Sequence, residues 1–145
     1  MKKISSIIIG MLCAVMFMTS CNTRQNAPID QTQCREQLIG QWKMTYERQV
    51  TRYGEESSLN DEEWIGLTLT FNEDGKLVLC SKTGKTYEGT WSLSPEGISM
   101  QYRAGNYYNG KITKVNDTDL ELDLKSTEDG YDGYLNVTWR FERVK

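Results

Sequence analysis

Carboxylates are the side chains in this sequence best equipped for chemistry. They cluster as Asp61-Glu62-Glu63, Glu73-Asp74, Asp117 with Asp119, and Glu128-Asp129 with Asp132. Two carboxylates divide acid and base roles when they face one another across a cleft. Here the clusters fall in turns and loops, where solvated carboxylates are the default, so no catalytic residue and no enzyme is expected. The 145 residues include no histidine. That removes Ser-His-Asp and Cys-His nucleophile pairs and any imidazole metal site. Glu128-Asp129-Gly130-Tyr131-Asp132-Gly133 offers oxygen ligands without the spacing of an EF-hand loop. Cys34 and Cys80 are too far apart in sequence for a zinc site, which wants close pairs. No metal and no cofactor is expected.

The formal charge of −3 joins two unlike regions. Residues 1–20 carry Lys2 and Lys3 and no acid, leaving 15 basic against 20 acidic side chains in the remainder. A mildly acidic domain is a poor match for phosphate backbones, so no nucleic-acid partner is expected.

Met1-Lys2-Lys3 precedes an apolar, uncharged run from Ile7 to Met18. Such a run is too short to span a bilayer stably and suits the core of a secretory signal. It ends in Met18-Thr19-Ser20-Cys21, which resembles the lipobox of bacterial lipoproteins. The resemblance implies cleavage before Cys21 and lipidation of its thiol, and several acyl chains exceed what stable anchoring needs. Asn22 stands where such lipoproteins often carry the Asp of inner-membrane retention, which implies an outer-membrane lipoprotein of the cell envelope, its face undecided. Residues 1–20 are thus expected to be a signal peptide and 21–33 a lipidated cysteine with a flexible Asn/Gln/Thr-rich tether. Residues 34–145 form the domain. In an oxidising compartment Cys34 and Cys80 form either a disulfide or two buried thiols.

From residue 38 onward the period of the apolar residues is two. Trp42, Met44 and Tyr46 alternate with polar residues, as do Ile65, Leu67, Leu69 and Phe71. Tyr87, Gly89, Trp91 and Leu93 follow, then Ile98, Met100 and Tyr102, then Leu120, Leu122 and Leu124, and last Leu135, Val137, Trp139 and Phe141. Weaker runs at 76–81 and 107–114 bring the expected count to eight strands. Turn chemistry at 72–75, 94–97 and 115–118 joins neighbours tightly, and residues 32–39 have room for one helical turn before strand one. The expected fold is an all-β, eight-stranded antiparallel up-and-down barrel, whose closure removes both open edges.

Leu38-Ile39-Gly40-Gln41-Trp42 resembles the Gly-X-Trp that opens the first strand of lipocalins. With Leu69-Thr70-Phe71-Asn72-Glu73-Asp74-Gly75 and Tyr87-Glu88-Gly89-Thr90-Trp91, the stretch 38–144 resembles the lipocalin-like domains of Gram-negative lipoproteins. The resemblance implies a barrel base in which Trp42, next to Gly40, packs beneath an arginine of the last strand. Strand parity favours Arg143 for that role, and a bulge would substitute Arg140.

An eight-stranded barrel is just wide enough to be filled by side chains or to hold one small ligand. The first reading is a binding protein for a small apolar or amphipathic molecule in a cup lined by Met44, Tyr46, Leu67, Leu69, Tyr87, Trp91, Met100, Tyr102, Leu122, Val137 and Trp139. The second is an envelope module with a filled barrel that touches a protein or glycan through its loops. Connections 51–64 and 126–133 are the long ones and fall at one end. They form an expected acidic, aromatic mouth rim of Tyr53, Glu62, Glu63, Trp64, Asp129, Tyr131 and Asp132.

Overall fold

The computed structural model describes residues 29–57, 65–102, 106–127 and 134–145, without the side chains of Ser57 and Tyr134. The period-two runs form β1 (Gly40–Thr51), β2 (Glu56–Ser57), β3 (Thr68–Phe71), β4 (Lys76–Cys80), β5 (Thr86–Ser94), β6 (Gly97–Tyr102), β7 (Tyr107–Val115), β8 (Asp119–Thr127) and β9 (Tyr134–Arg143). All pairs are antiparallel between sheet neighbours, and β1 also pairs with β9 from Trp42↔Arg143 to Thr51↔Leu135. That last ladder closes the sheet. β2 is a stub folded back on β1 through Gln49↔Ser57 and Val50↔Glu56. The remaining strands are the eight staves of the expected closed antiparallel barrel.

Two bulges set which residues face inward. In β1 the partners of β9 skip from Met44↔Phe141 to Tyr46↔Arg140, leaving Thr45 as the extra residue. In β7 the partners of β8 skip from Ile112 to Lys114. A bulge shifts every later residue by one, so it exchanges the faces of the strand. The inward set of β1 therefore changes from Trp42 and Met44 to Glu47, whose sheet partner is the inward Trp139.

The base is the end where β1 starts and β9 finishes. A short 3-10 turn (Gln31–Cys34), capped by Asp30, runs into α1 (Arg35–Leu38) across it. Cys34 and Leu38 lose all exposure there, together with Trp42. Phe71, Leu77, Ile98, Val115, Leu120 and Phe141 complete a closely packed apolar lower half.

Two expectations need correction, and one open alternative is decided. The second long strand begins at Thr68 rather than Ile65, because Gly66 turns at φ +92 and donates to the Met44 carbonyl beside the bulge. The tether does not extend to residue 33, since Gln31 is buried and its amide holds both the N–H and the carbonyl of Ile112. Of the two alternatives for Cys34 and Cys80, the disulfide is absent: Cys34 is buried and Cys80 half-buried, and no bond joins them. Cys34 lies under the base, whereas Cys80 ends β4 at the opposite end, so they are beyond disulfide reach.

Candidate functional site

At the base, the Arg143 guanidinium carbon stands 4.1 Å from the centre of the Trp42 ring. Its nitrogens donate to the carbonyls of Asp117 (3.0 Å), Ile39 (3.1 Å) and Gln37. The Trp42 indole donates to the Leu38 carbonyl at 2.8 Å. Arg140 is on the outside, 4.7 Å from the Tyr46 ring centre and 2.9 Å from Glu121. Trp91 also belongs to the base end. Its indole donates to Asn72, its ring meets Phe71 edge-on, and Arg35 covers it at 4.7 Å.

The mouth-side half of the interior has a different character. Tyr102 and Tyr108 stack with ring centres 5.4 Å apart and hydroxyls 3.0 Å apart. Tyr108 lies 4.8 Å from Trp139, and the Trp139 indole donates to Oε1 of Glu47 at 3.0 Å. Gln49 donates to the same oxygen at 2.9 Å. Oε2 of Glu47 is buried and has no hydrogen-bond partner among the described residues. Ser126, the cross-strand partner of Tyr108, also has a buried hydroxyl without a hydrogen-bond partner among the described residues. Buried polar atoms are normally paired. Of the three orphans among the described residues, these two adjoin one aromatic cluster, and the third, Gln37 Oε1, lies in α1 at the base.

Of the residues expected to line a cup, Met44, Leu67, Leu69, Met100, Tyr102, Leu122, Val137 and Trp139 are buried, and Tyr87 is half-buried against the core. Tyr46 is a correction. The bulge turns it to the outer face beneath Arg140, and Glu47 takes the inward place. Trp91 is inside but is spent on the base. Of the expected rim, Tyr53 is 73% exposed. Glu62, Glu63, Trp64, Asp129, Tyr131 and Asp132 lie outside the described residues, as does the lipidation site Cys21.

Two further features bear on the chemistry. Among the described residues no group of three or more Cys, Asp or Glu converges as a metal site would. On the outer wall, a concavity of about 400 Å3 crosses β7, β8 and β9 between Asn109, Lys111, Asp123, Lys125, Asn136 and Thr138. It is open, and its Thr138 hydroxyl and Asp123 carboxylate already bond one another at 2.8 Å.

No curated protein matches the chain. Two solved barrels are similar to it. One, "Structure of EF1p2_mFAP2b bound to DFHBI", is 16% identical over 79% of this chain and 99% of its own, with a TM-score of 0.48. The other, a de novo designed fluorescence-activating beta barrel, is 19% identical over 80% and 99%, with a TM-score of 0.43. The lipocalin-like domain model matches residues 38–122, from the end of α1 to the middle of β8. With more than half of its length matched in this way, the chain belongs to the lipocalin-like domain family.

Proposed function

We propose that this is a membrane-anchored binding protein that holds a small apolar or amphipathic molecule in the mouth-side half of its barrel. The observation that carries the reading is the pair of orphaned polar atoms, Glu47 Oε2 and Ser126 Oγ, inside an otherwise apolar and aromatic wall. Leaving such a group buried and unpaired costs about 1–3 kcal/mol. An interior that had only to be solid would place apolar side chains there. A ligand with one polar end and one apolar body satisfies the atoms and keeps the burial.

Displacement of a fluorescent dye by fatty acids, retinoids and haem tests this on the full-length protein. Capture of several such ligands is expected. If none displaces the dye, the reading falls, and a filled barrel acting through its loops replaces it.

The anchor belongs to the same proposal. Cys21 is the mature, lipidated N-terminus, and the chain from it enters the described structure just before the turn at Gln31, on the base side. The acidic rim then faces away from the membrane, with Glu62, Glu63, Asp129 and Asp132 steering cationic or hydroxyl-rich partners. Mass spectrometry of membrane-extracted protein reads the anchor, and an unmodified peptide spanning residues 15–30 would exclude it. Neutralising the four rim carboxylates is expected to weaken capture and its salt sensitivity without lowering stability.

A further inference from the structure

Glu47 is an acid inside the barrel wall, 2% exposed, and none of the ion pairs among the described residues includes it. The nearest basic residues in sequence and across the sheet are committed elsewhere. Arg48 pairs with Glu56 at 2.7 Å, and Arg140 pairs with Glu121 at 2.9 Å, both on the outer face. One carboxylate oxygen takes both internal donors, Trp139 Nε1 and Gln49 Nε2. The other takes none from the described residues. A carboxylate oxygen only accepts, so whatever completes it must donate. The adjoining surface is a run of aromatic rings, Trp139, Tyr108 and Tyr102, whose faces carry negative quadrupole charge and attract cations.

We infer that the interior site takes a cationic amphiphile, a protonated amine on an aromatic or apolar body, with Glu47 as its counter-ion. The inference rests on the binding reading above and goes further by fixing the charge of the ligand. The amine donates to Oε2, its body lies along the aromatic run, and the Ser126 hydroxyl is free to accept or donate at the far side. An anionic ligand would bring a second negative charge beside a buried carboxylate, which the surroundings do not compensate. A neutral alcohol makes the hydrogen bond without the charge and binds in between.

The test compares three probes of one shape, naphthylmethylamine, naphthylmethanol and naphthoate, by calorimetric titration of the full-length protein in nanodiscs, with empty nanodiscs as the blank. The amine is expected to bind about tenfold or more tighter than the alcohol, the difference a charged hydrogen bond commands. Naphthoate is expected to bind weakest. Glu47→Gln keeps the shape and the acceptor for Trp139 while removing the charge. In that variant the amine should fall to the affinity of the alcohol, and the alcohol should stay within about threefold of its original value. Naphthoate binding as well as the amine, or an amine advantage that survives Glu47→Gln, overturns the inference and leaves a binding protein of unassigned ligand charge. If none of the probes binds and the dye screen is also empty, both readings fall together. Should Glu47→Gln fail to fold, the order of the three probes on the unaltered protein decides alone.

Discussion

A Cβ at residue 40 would stand 2.8 Å from Nη1 of Arg143, and the backbone there has φ +126, so glycine is what lets the guanidinium lie over Trp42. The Gly-X-Trp of the sequence is thus a steric arrangement, with the small residue making room for the cation that covers the large one. Because Trp42 is fully buried, its replacement by alanine leaves a cavity and frees the Leu38 carbonyl. Trp42→Ala should cost about 3–5 kcal/mol by denaturant titration, and an unchanged midpoint would remove Trp42 from the base. Ser126 predicts the opposite sign. Its buried hydroxyl has no partner among the described residues, so Ser126→Ala deletes an unsatisfied group at almost no loss of packing. The ligand-free variant should be more stable by about 1 kcal/mol. A loss of stability would mean that the hydroxyl is paired.

At the scale of strands and turns, the hairpin between β7 and β8 shows how short sequence signals become structure. Asn116 Oδ1 accepts from the backbone N–H groups of Thr118 and Asp119, which fixes the turn. The Lys114 ammonium, 3.1 Å from Asp119, is the main reason that the Asp119 carboxyl titrates below its ordinary range, with the Thr118 hydroxyl and the Asn116 amide adding to it. A lowered folded-state pKa means stability that is present above the unfolded value and is lost as pH falls through the folded one. Asp119→Asn should therefore be less stable than the parent near neutral pH, and the gap should close in acid. A gap that is constant from pH 7 to about pH 2 would show that charge plays no part. Such turns were legible in the sequence because their chemistry is local, and the strands because one face is apolar. The bulge at Thr45 was not. In Tyr46-Glu47-Arg48-Gln49-Val50 the apolar Tyr46 and Val50 share a face, so hydrophobic periodicity turns that face inward and hides the bulge. Only the pairing with β9 fixes it, and with it the most informative residue of the site. The closed sheet was legible; Glu47 was not.

As a whole, the molecule is a barrel with one end committed to structure and the other assigned to binding in the function proposed above. The lower half is apolar and closed by the 3-10 turn and α1. The upper half carries two of the three unsatisfied buried polar atoms among the described residues, Glu47 Oε2 and Ser126 Oγ, and the ends of the long connections. This division explains why residues before β1 matter more than their lack of strand pairing suggests. Gln31 holds both backbone groups of Ile112 next to the β7 bulge, Cys34 and Leu38 are fully buried, and Gln37, Leu38 and Ile39 supply carbonyls to Arg143 and Trp42. Removing residues 30–39 would strand those donors and expose the floor of the core. A chain that starts at Ile29 is therefore expected to unfold at the denaturant concentration of the full-length protein, because the base contacts of Gln31, Cys34, Gln37, Leu38 and Ile39 all lie beyond that residue. A chain that starts at Gly40 should lose several kcal/mol, from about 2–3 kcal/mol for each buried apolar side chain removed together with the unpaired Trp42 and Arg143 donors. Equal stability of the two truncations would mean that the eight staves close the base without help, and the assignment of the two ends would fail with it.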